Sequence, residues 1–306
     1  MFIGHGLLAF AIAASVAASR GWPSERALTV GVVAGLFATL PDVDMAYALV
    51  GLASGAEGLF SASDAFWSAA HVVHRAVTHS LVVGTVAAVG FTAWAARARR
   101  HALAIAVVAL LGMILVVAAT SGGLGATVMV LFVAGGLGTV RVARSAGFAT
   151  RTVLLAALLG LLSHPFGDLL TGTPPAFLYP LDATLIGGRV ALAADPTLNL
   201  LGAFFVELTT LWLALVVYAR LRGWRVRALV QPRAAFGAAY AGAVFTIPAP
   251  TLQLSWPFVF SVLGVGVIGA PLQWNRQRRT RWRTVATALT AVTLAALAYT
   301  GAYLVV

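Results

Sequence analysis

The sequence contains no cysteine, and charged residues make up only 9% of its 306 residues. The absence of cysteine excludes disulfide bonds and thiolate metal sites. Soluble proteins average about 25% charged residues, so this composition excludes an ordinary soluble domain. Hydrophobic residues instead reach 60%, and they recur in runs close to the roughly 20 residues that cross a bilayer. The composition predicts an all-α, polytopic membrane protein.

Apolar segments bounded by arginine, proline or glycine predict about ten transmembrane helices. The first has no positive charge before it, which favours a membrane span over a cleaved signal peptide. Two connections, 53–73 and 171–198, are long, and aromatic residues in the first favour a segment at the membrane interface. The predicted spans cover residues 2–19, 27–40, 79–96, 102–120, 123–140, 152–170, 199–219, 234–250, 256–274 and 284–304.

Every basic residue is an arginine, and the arginines predict the orientation of the chain. When the spans are threaded with alternate crossings, five clusters fall on one side and leave only Arg75 and Arg189 of the 20 opposite. The positive-inside rule makes the crowded side cytoplasmic, so both termini are expected outside. Short arginine clusters between apolar runs are topology signals, so the net charge of +11 predicts no nucleic-acid partner. Membrane lipids are the expected surroundings.

The same threading gathers the histidines and most of the acidic residues on the arginine-poor side. Four separated stretches converge there: His5, PDVD at 41–44, HRAVTHS at 74–80 and HPFGD at 164–168. His164 and Asp168 are four residues apart and share a face if the helix continues, although Pro165 could instead begin a new turn. Five of the six histidines lie on this side, namely His5, His71, His74, His79 and His164.

Each stretch also has an ordinary structural interpretation. A histidine at a span end can be interfacial, PDVD can be a helix-ending turn, and HRAVTHS can be a linker that caps the next helix. HPFGD can be a kink with a hydrogen-bonded aspartate, and Glu207 within the seventh span is expected to be protonated and hydrogen-bonded. Those interpretations do not explain why all four stretches fall on one side. Imidazole with carboxylate favours Zn, Mn or Fe over Mg or Ca, so we predict a divalent metal site.

The order and spacing of these motifs resemble the YdjM-type family of membrane-bound proteins. The family is LexA-regulated in its namesake and is described as predicted metal-dependent hydrolases. The shared HRxxTHS and HxxxD patterns place the resemblance in residues 1–185, a metal-site core with an inserted helix pair near 102–140. Residues 199–306 carry none of the motifs and are expected to be additional C-terminal transmembrane helices. The resemblance implies a metal centre built from His5, Asp42, Asp44, His74, His79, His164 and Asp168.

The expected activity is hydrolysis of a phosphoester in a lipid or lipid-linked molecule at the outer membrane face. A divalent ion would acidify a water and polarise the phosphoryl oxygen. Arg75 would hold the phosphate through its planar fork, and Asp44 or His74 would act as general base. No HExxH occurs, which disfavours a metalloprotease. The alternatives are a transporter or binding protein for a metal ion or polar solute, and an idle assembly or stress-response protein.

Overall fold

The computed structural model describes residues 3–47, 58, 61, 75, 77–269 and 278–306, and this part of the chain contains helices and no strand. The predicted all-α class is therefore confirmed for the described residues. The chain divides into two compact units, Met1–Arg189 and Val190–Val306. Of the predicted interfacial connection 53–73, only residues 58 and 61 are described.

The described part of the first unit contains five α-helices whose bounds lie close to the predicted spans. Ser80 caps the third of them, since its hydroxyl accepts hydrogen bonds from the amides of Val82 and Val83. The second ends before Pro41, as the missing proline amide predicts, and a 3-10 helix follows. The elements are α1 (Gly4–Ser19), α2 (Ser24–Thr39), the 3-10 helix Pro41–Tyr47, α3 (Leu81–Ala95), α4 (Arg100–Ser145) and α5 (Thr150–Asp168).

Helix α4 has 46 residues and is broken at Gly122, which has φ 69° and ψ −168°. A straight helix of that length would extend about 69 Å, more than twice the roughly 30 Å of a hydrocarbon core. Both halves instead lie against the same part of α3. Leu110 lies against Gly90, and the ring of Phe132 is 6.1 Å from that of Phe91. The chain therefore folds back at Gly122 into the predicted helix pair.

Small residues fill the contacts between α1, α2 and α5. Ala14 on α1, Ala34 on α2 and Ala157 on α5 are completely buried, and α2 packs against both of the other helices. In lipid there is no hydrophobic driving force between helices, so close backbone approach through small residues supplies the packing energy. This contact brings the start of α1, the end of α2 and the end of α5 to one end of the unit.

The second unit contains α6 (Pro196–Leu221), α7 (Trp256–Gly264) and α8 (Arg278–Tyr303), with 3-10 helices at Val226–Ala228, Pro232–Phe245 and Val265–Gly269. Asp195 caps α6 by accepting from the Leu198 amide at 2.8 Å. Two predictions differ here in detail. The span predicted at 234–250 is a 3-10 helix that packs along α8. The span predicted at 256–274 is α7 followed by 3-10 turns, with residues 270–277 outside the described chain.

Three helices in the described part of the chain are long and apolar enough to cross a membrane. They are α4, α6 and residues Arg281–Tyr303 of α8. Helix α1, helix α3 and the stretch Trp256–Gly269 are apolar but shorter.

Candidate metal centre

The four separated motifs meet at one end of the first unit. His5 lies in the first turn of α1, and Asp42 follows α2. His79 precedes α3, whereas His164 and Asp168 lie in the last turns of α5. Because successive helices run in alternate directions, the start of α1, the end of α2, the start of α3 and the end of α5 share one end. The motifs therefore meet as the threading of the sequence predicts.

Helix α5 continues through Pro165 to Asp168. His164 and Asp168 consequently share a helix face, with His164 Nε2 3.6 Å from Asp168 Oδ2. The alternative in which Pro165 begins a new turn does not occur. Both side chains are buried, so the motif HPFGD points its two titratable groups into the protein.

Four donor atoms form a compact group at the centre of the site. His79 Nε2 lies 3.1 Å from His164 Nε2, 3.1 Å from Asp168 Oδ2 and 3.7 Å from Asp42 Oδ1. His164 Nε2 lies 3.4 Å from Asp42 Oδ1. Each imidazole nitrogen is therefore near enough to the other and to both carboxylates to share an ion with them.

The outer nitrogens of the two central imidazoles are occupied by the protein. His164 Nδ1 is 2.6 Å from the carbonyl oxygen of Ala38, and only a protonated nitrogen can donate to a carbonyl. His79 Nδ1 is 3.1 Å from Thr78 Oγ1 and 3.4 Å from Asp44 Oδ2. With protons on both Nδ1 atoms, the neutral rings present their Nε2 lone pairs to each other and to the carboxylates.

Two buried carboxylate oxygens also indicate that a cation is needed at this centre. Asp42 Oδ2 and Asp168 Oδ2 have no hydrogen-bond partner among the described residues. Buried polar atoms are normally paired, and an unpaired one calls for a ligand, ion or water. Two imidazole nitrogens and two carboxylates are the donors that bind Zn, Mn or Fe. The residues present therefore fit a divalent metal ion, within the overlapping groups His5, His164, Asp168 and Asp42, His79, His164.

The charge state of Asp42 agrees with this fit. Burial would raise the pKa of the Asp42 carboxyl, but the imidazoles of His164 and His79, when protonated, outweigh burial and hold the pKa well below its usual range. The carboxylate is therefore ionised at neutral pH. Such a group needs positive charge beside it, which either protons on the imidazoles or a metal ion can supply.

His5 contacts two of the central residues, Asp168 and His164, and its predicted role as a metal ligand stays a prediction. Its Nε2 is 3.2 Å from Asp168 Oδ1, and its ring stacks on that of His164 with centroids 3.9 Å apart. Gly167 makes this position accessible, because a Cβ at residue 167 would lie 2.5 Å from His5 Cε1. The glycine of HPFGD thus leaves room for the histidine of α1.

Asp44 and Arg75 surround the centre and contact its members. Asp44 is fully buried and accepts hydrogen bonds from the Thr78 hydroxyl and the Arg75 amide, each at 3.2 Å. The Arg75 guanidinium lies 3.5 Å from Asp168 Oδ1. The roles given to Asp44 as ligand or base and to Arg75 as phosphate-binding residue stay predictions. His74, predicted as ligand and base, lies outside the described residues.

Sequence reasoning missed three contributors to the site. They are the Thr78 hydroxyl, the Ala38 carbonyl and the space left by Gly167. Thr78 and Gly167 lie inside the recognised motifs, so their identity was visible although their contacts were not. The Ala38 carbonyl carries no sequence signal. Beside the centre, residues 173–187 and Arg75 line a cavity of about 530 Å³.

Comparisons with known proteins give one match. Neither the curated proteins nor the solved structures include a significant match to this chain. The family model of the YdjM inner membrane protein matches residues 1–304. That range contains all four motifs of the candidate centre and extends through the C-terminal helices, beyond the 1–185 in which the motifs lie. The chain belongs to the YdjM inner membrane protein family.

Proposed function

We propose that this protein is a membrane-embedded, metal-dependent hydrolase acting on a phosphoester of a lipid or lipid-linked molecule. The observation that carries the proposal is the set of two buried Nε2 atoms and two carboxylates that face one another and call for positive charge between them. Such a set is costly in a membrane protein unless an ion neutralises it, and buried ionisable groups there usually serve function.

The donor distances support zinc as the first candidate. Four ligands at 2.0–2.1 Å in tetrahedral array are separated by about 3.3 Å, and the separations that involve an imidazole nitrogen run from 3.1 to 3.7 Å. Two neutral imidazoles and two carboxylates balance a divalent charge. Manganese and iron accept the same donors and remain alternatives within the proposal.

The chemistry of the centre follows from its ion and its neighbours. A divalent ion held there would lower the pKa of a water and polarise a phosphoryl oxygen. Asp44, through its contact with His79 Nδ1, supports the imidazole in the tautomer that frees Nε2. His5 lies beside the centre as a group able to accept or donate a proton at Nε2. His74 keeps its proposed role as general base.

The lipid substrate and the outer location are the parts of the proposal that depend on topology. The ten predicted spans and the positive-inside rule place the helix ends that carry the motifs on the extracytoplasmic side. A site at helix ends lies near the depth of lipid headgroups, where phosphoesters of lipids are found. A soluble substrate would need no such depth.

One observation favours a second candidate, a structural metal site. The four donors would complete a tetrahedral shell, whereas catalytic zinc sites keep one position open. The imidazoles of His79 and His164 are also fully buried. In this alternative the ion would join α2, α3 and α5 without chemistry. Transport of an ion or polar solute is the third candidate, and it is disfavoured because the donors lie at helix ends and not at a midplane break.

Metal analysis and an activity panel separate these candidates. Protein purified in detergent without chelator would be analysed for metal and assayed on phospholipids and prenyl phosphates, beside Asp168→Asn. Bound metal with hydrolysis that Asp168→Asn abolishes is the expected result. Bound metal without hydrolysis on any substrate would favour the structural site. Metal-dependent ion uptake into proteoliposomes would favour transport.

A further inference from the structure

Arg75 connects three parts of the first unit through its backbone and side chain. Its backbone has φ 67°, in the left-handed region that is unfavourable for a residue with a Cβ. In this conformation its amide donates to Asp44 Oδ2 at 3.2 Å, and its carbonyl accepts from the Ala176 amide at 3.1 Å. The unfavourable backbone geometry is therefore retained at a position where it lets Arg75 form hydrogen bonds with two separate segments of the chain.

The guanidinium of Arg75 is committed to protein acceptors around Asp168. Nη1 donates to the carbonyl oxygens of Asp168 at 3.3 Å and Thr173 at 3.0 Å. Nη2 donates to Thr171 Oγ1 at 3.0 Å and lies 3.5 Å from Asp168 Oδ1. The remaining donor, Nε, is buried and has no hydrogen-bond partner among the described residues.

These contacts leave no pair of donors for a substrate phosphate. A bidentate phosphate complex needs two parallel N–H groups on one edge of the guanidinium. Both N–H groups of Nη1 already donate to carbonyl oxygens, which occupies the Nη1–Nη2 edge. The Nε–Nη2 edge is inaccessible because Nε is buried. The guanidinium instead contacts the backbone carbonyl and the carboxylate of Asp168, one of the candidate metal ligands.

We infer that Arg75 is a positioning residue that fixes the Asp168 carboxylate toward the metal and holds residues 171–177 over the centre. The inference rests on the proposed metal centre and replaces phosphate binding as the role of Arg75. By holding Oδ1, together with His5, Arg75 leaves Oδ2 directed at His79 and His164. The positive charge of Arg75 also offsets the negative charge of Asp44, so the groups around the four donors add little net charge.

Gly172 provides a way to displace the guanidinium without altering its charge. A Cβ at residue 172 would lie 2.4 Å from Arg75 Nη1, so Gly172→Ala must push the end of the arginine aside. Gly188→Ala is a matched control in the same loop, because a Cβ there meets nothing within 4 Å. Arg189→Lys is the matched control for Arg75→Lys, since Arg189 is exposed.

The experiment measures cobalt and phosphate binding to the four purified variants. Arg75→Lys and Gly172→Ala are expected to weaken Co²⁺ affinity about 10- to 100-fold, the usual effect of losing a group that orients a ligand. They should also change the visible spectrum of bound Co²⁺, while both controls match the wild type. An unchanged Co²⁺ affinity and spectrum, whether or not affinity for inorganic phosphate falls, would overturn the inference.

Hydrogen exchange distinguishes failure of this inference from failure of the metal centre. In metal-free protein, residues 171–177 should exchange faster in Arg75→Lys than in Arg189→Lys, because Arg75 holds this segment with or without an ion. Wild-type protein that binds no Co²⁺ would refute the metal centre. Faster exchange in Arg75→Lys would still support the contact between Arg75 and residues 171–177, whereas equal exchange in the two variants would refute it.

Discussion

His79 and His164 point their Nε2 atoms at each other across 3.1 Å, while each ring has its other nitrogen directed at a protein oxygen. The arrangement fixes both tautomers and leaves two lone pairs in contact. Only a shared proton or a cation makes such an approach favourable. The pair therefore defines the point in the protein where positive charge is required.

The first prediction concerns metal content. Protein purified without chelator should hold close to one divalent ion, because the site otherwise confines two carboxylates without adequate positive charge. His79→Ala should lose most of that metal and unfold at a lower temperature, since binding energy is also folding energy. Elemental analysis and thermal unfolding are the measurements. Glu207→Gln should keep its metal. A wild-type protein that contains no metal and cannot rebind it would contradict the prediction.

The second prediction separates Asp42 from Asp44, two aspartates of the same short turn. Asp42→Asn removes a carboxylate that faces both imidazoles and should abolish stoichiometric binding. Asp44→Asn alters the contacts with His79 Nδ1, the Thr78 hydroxyl and the Arg75 amide but none of the four central donors. It should weaken binding about 10- to 100-fold while full occupancy is still reached at high metal. Competition with a chromophoric chelator measures both affinities. Equal losses in the two variants would show that Asp44 is itself a ligand.

The third prediction tests the space beside His5. Gly167→Ala places a methyl group against the imidazole and should destabilise the protein by about 1–3 kcal/mol, the usual cost of overpacking. Hydrolysis should fall at least tenfold. Retained metal would mean that the four central donors suffice, whereas lost metal would make His5 a ligand together with His164 and Asp168. Gly188→Ala provides the control. A variant with wild-type stability and activity would mean that His5 moves without consequence.

The fourth prediction is the orientation of the site. The chain has no cysteine, so an introduced thiol is the only one. Ala183→Cys, in the loop beside the centre, should react with an impermeant maleimide in intact cells whose outer barrier admits it. Ala146→Cys, after α4, should react only once the membrane is opened. Both residues are exposed, so access and not burial decides the result. The reverse pattern would place the site in the cytoplasm and favour an intracellular substrate.

The same method tests the second unit independently. Ala194→Cys should label from outside, and Ala228→Cys should label only after permeabilisation. Labelling of Ala183→Cys without Ala194→Cys would place an extra crossing between them.

Much of the fold and the site could be predicted because their signals are local. Pro41 marks the end of α2, Ser80 marks the start of α3, and the spacing of His164 and Asp168 gives a shared face. The arginine pattern then predicts which helix ends, and therefore which motifs, lie on the same side of the membrane. None of these steps requires knowledge of distant contacts.

The roles of individual side chains could not be predicted, because they depend on backbone detail. Asp42 and Asp44 lie two residues apart in a 3-10 helix. That geometry directs Asp42 at the Nε2 atoms of the two imidazoles and Asp44 at the Nδ1 atom of His79. Arg75 has a left-handed backbone that aims its fork at Asp168, which its residue type alone does not reveal. The 3-10 helix at Pro232–Phe245 likewise follows from packing along α8, since its apolar content equally predicts an α-helix.

The uneven burial of the four donors has a consequence for how an ion would reach the centre. His79 and His164 expose none of their surface and Asp168 exposes 1%, whereas the side chain of Asp42 exposes 14%. An arriving ion would therefore meet the Asp42 carboxylate first and exchange a water for it before the imidazoles bind. Carboxylates suit hard ions such as manganese, whereas imidazole suits zinc and copper. The outer donor would thus admit several divalent ions, and the buried donors would decide which of them is retained.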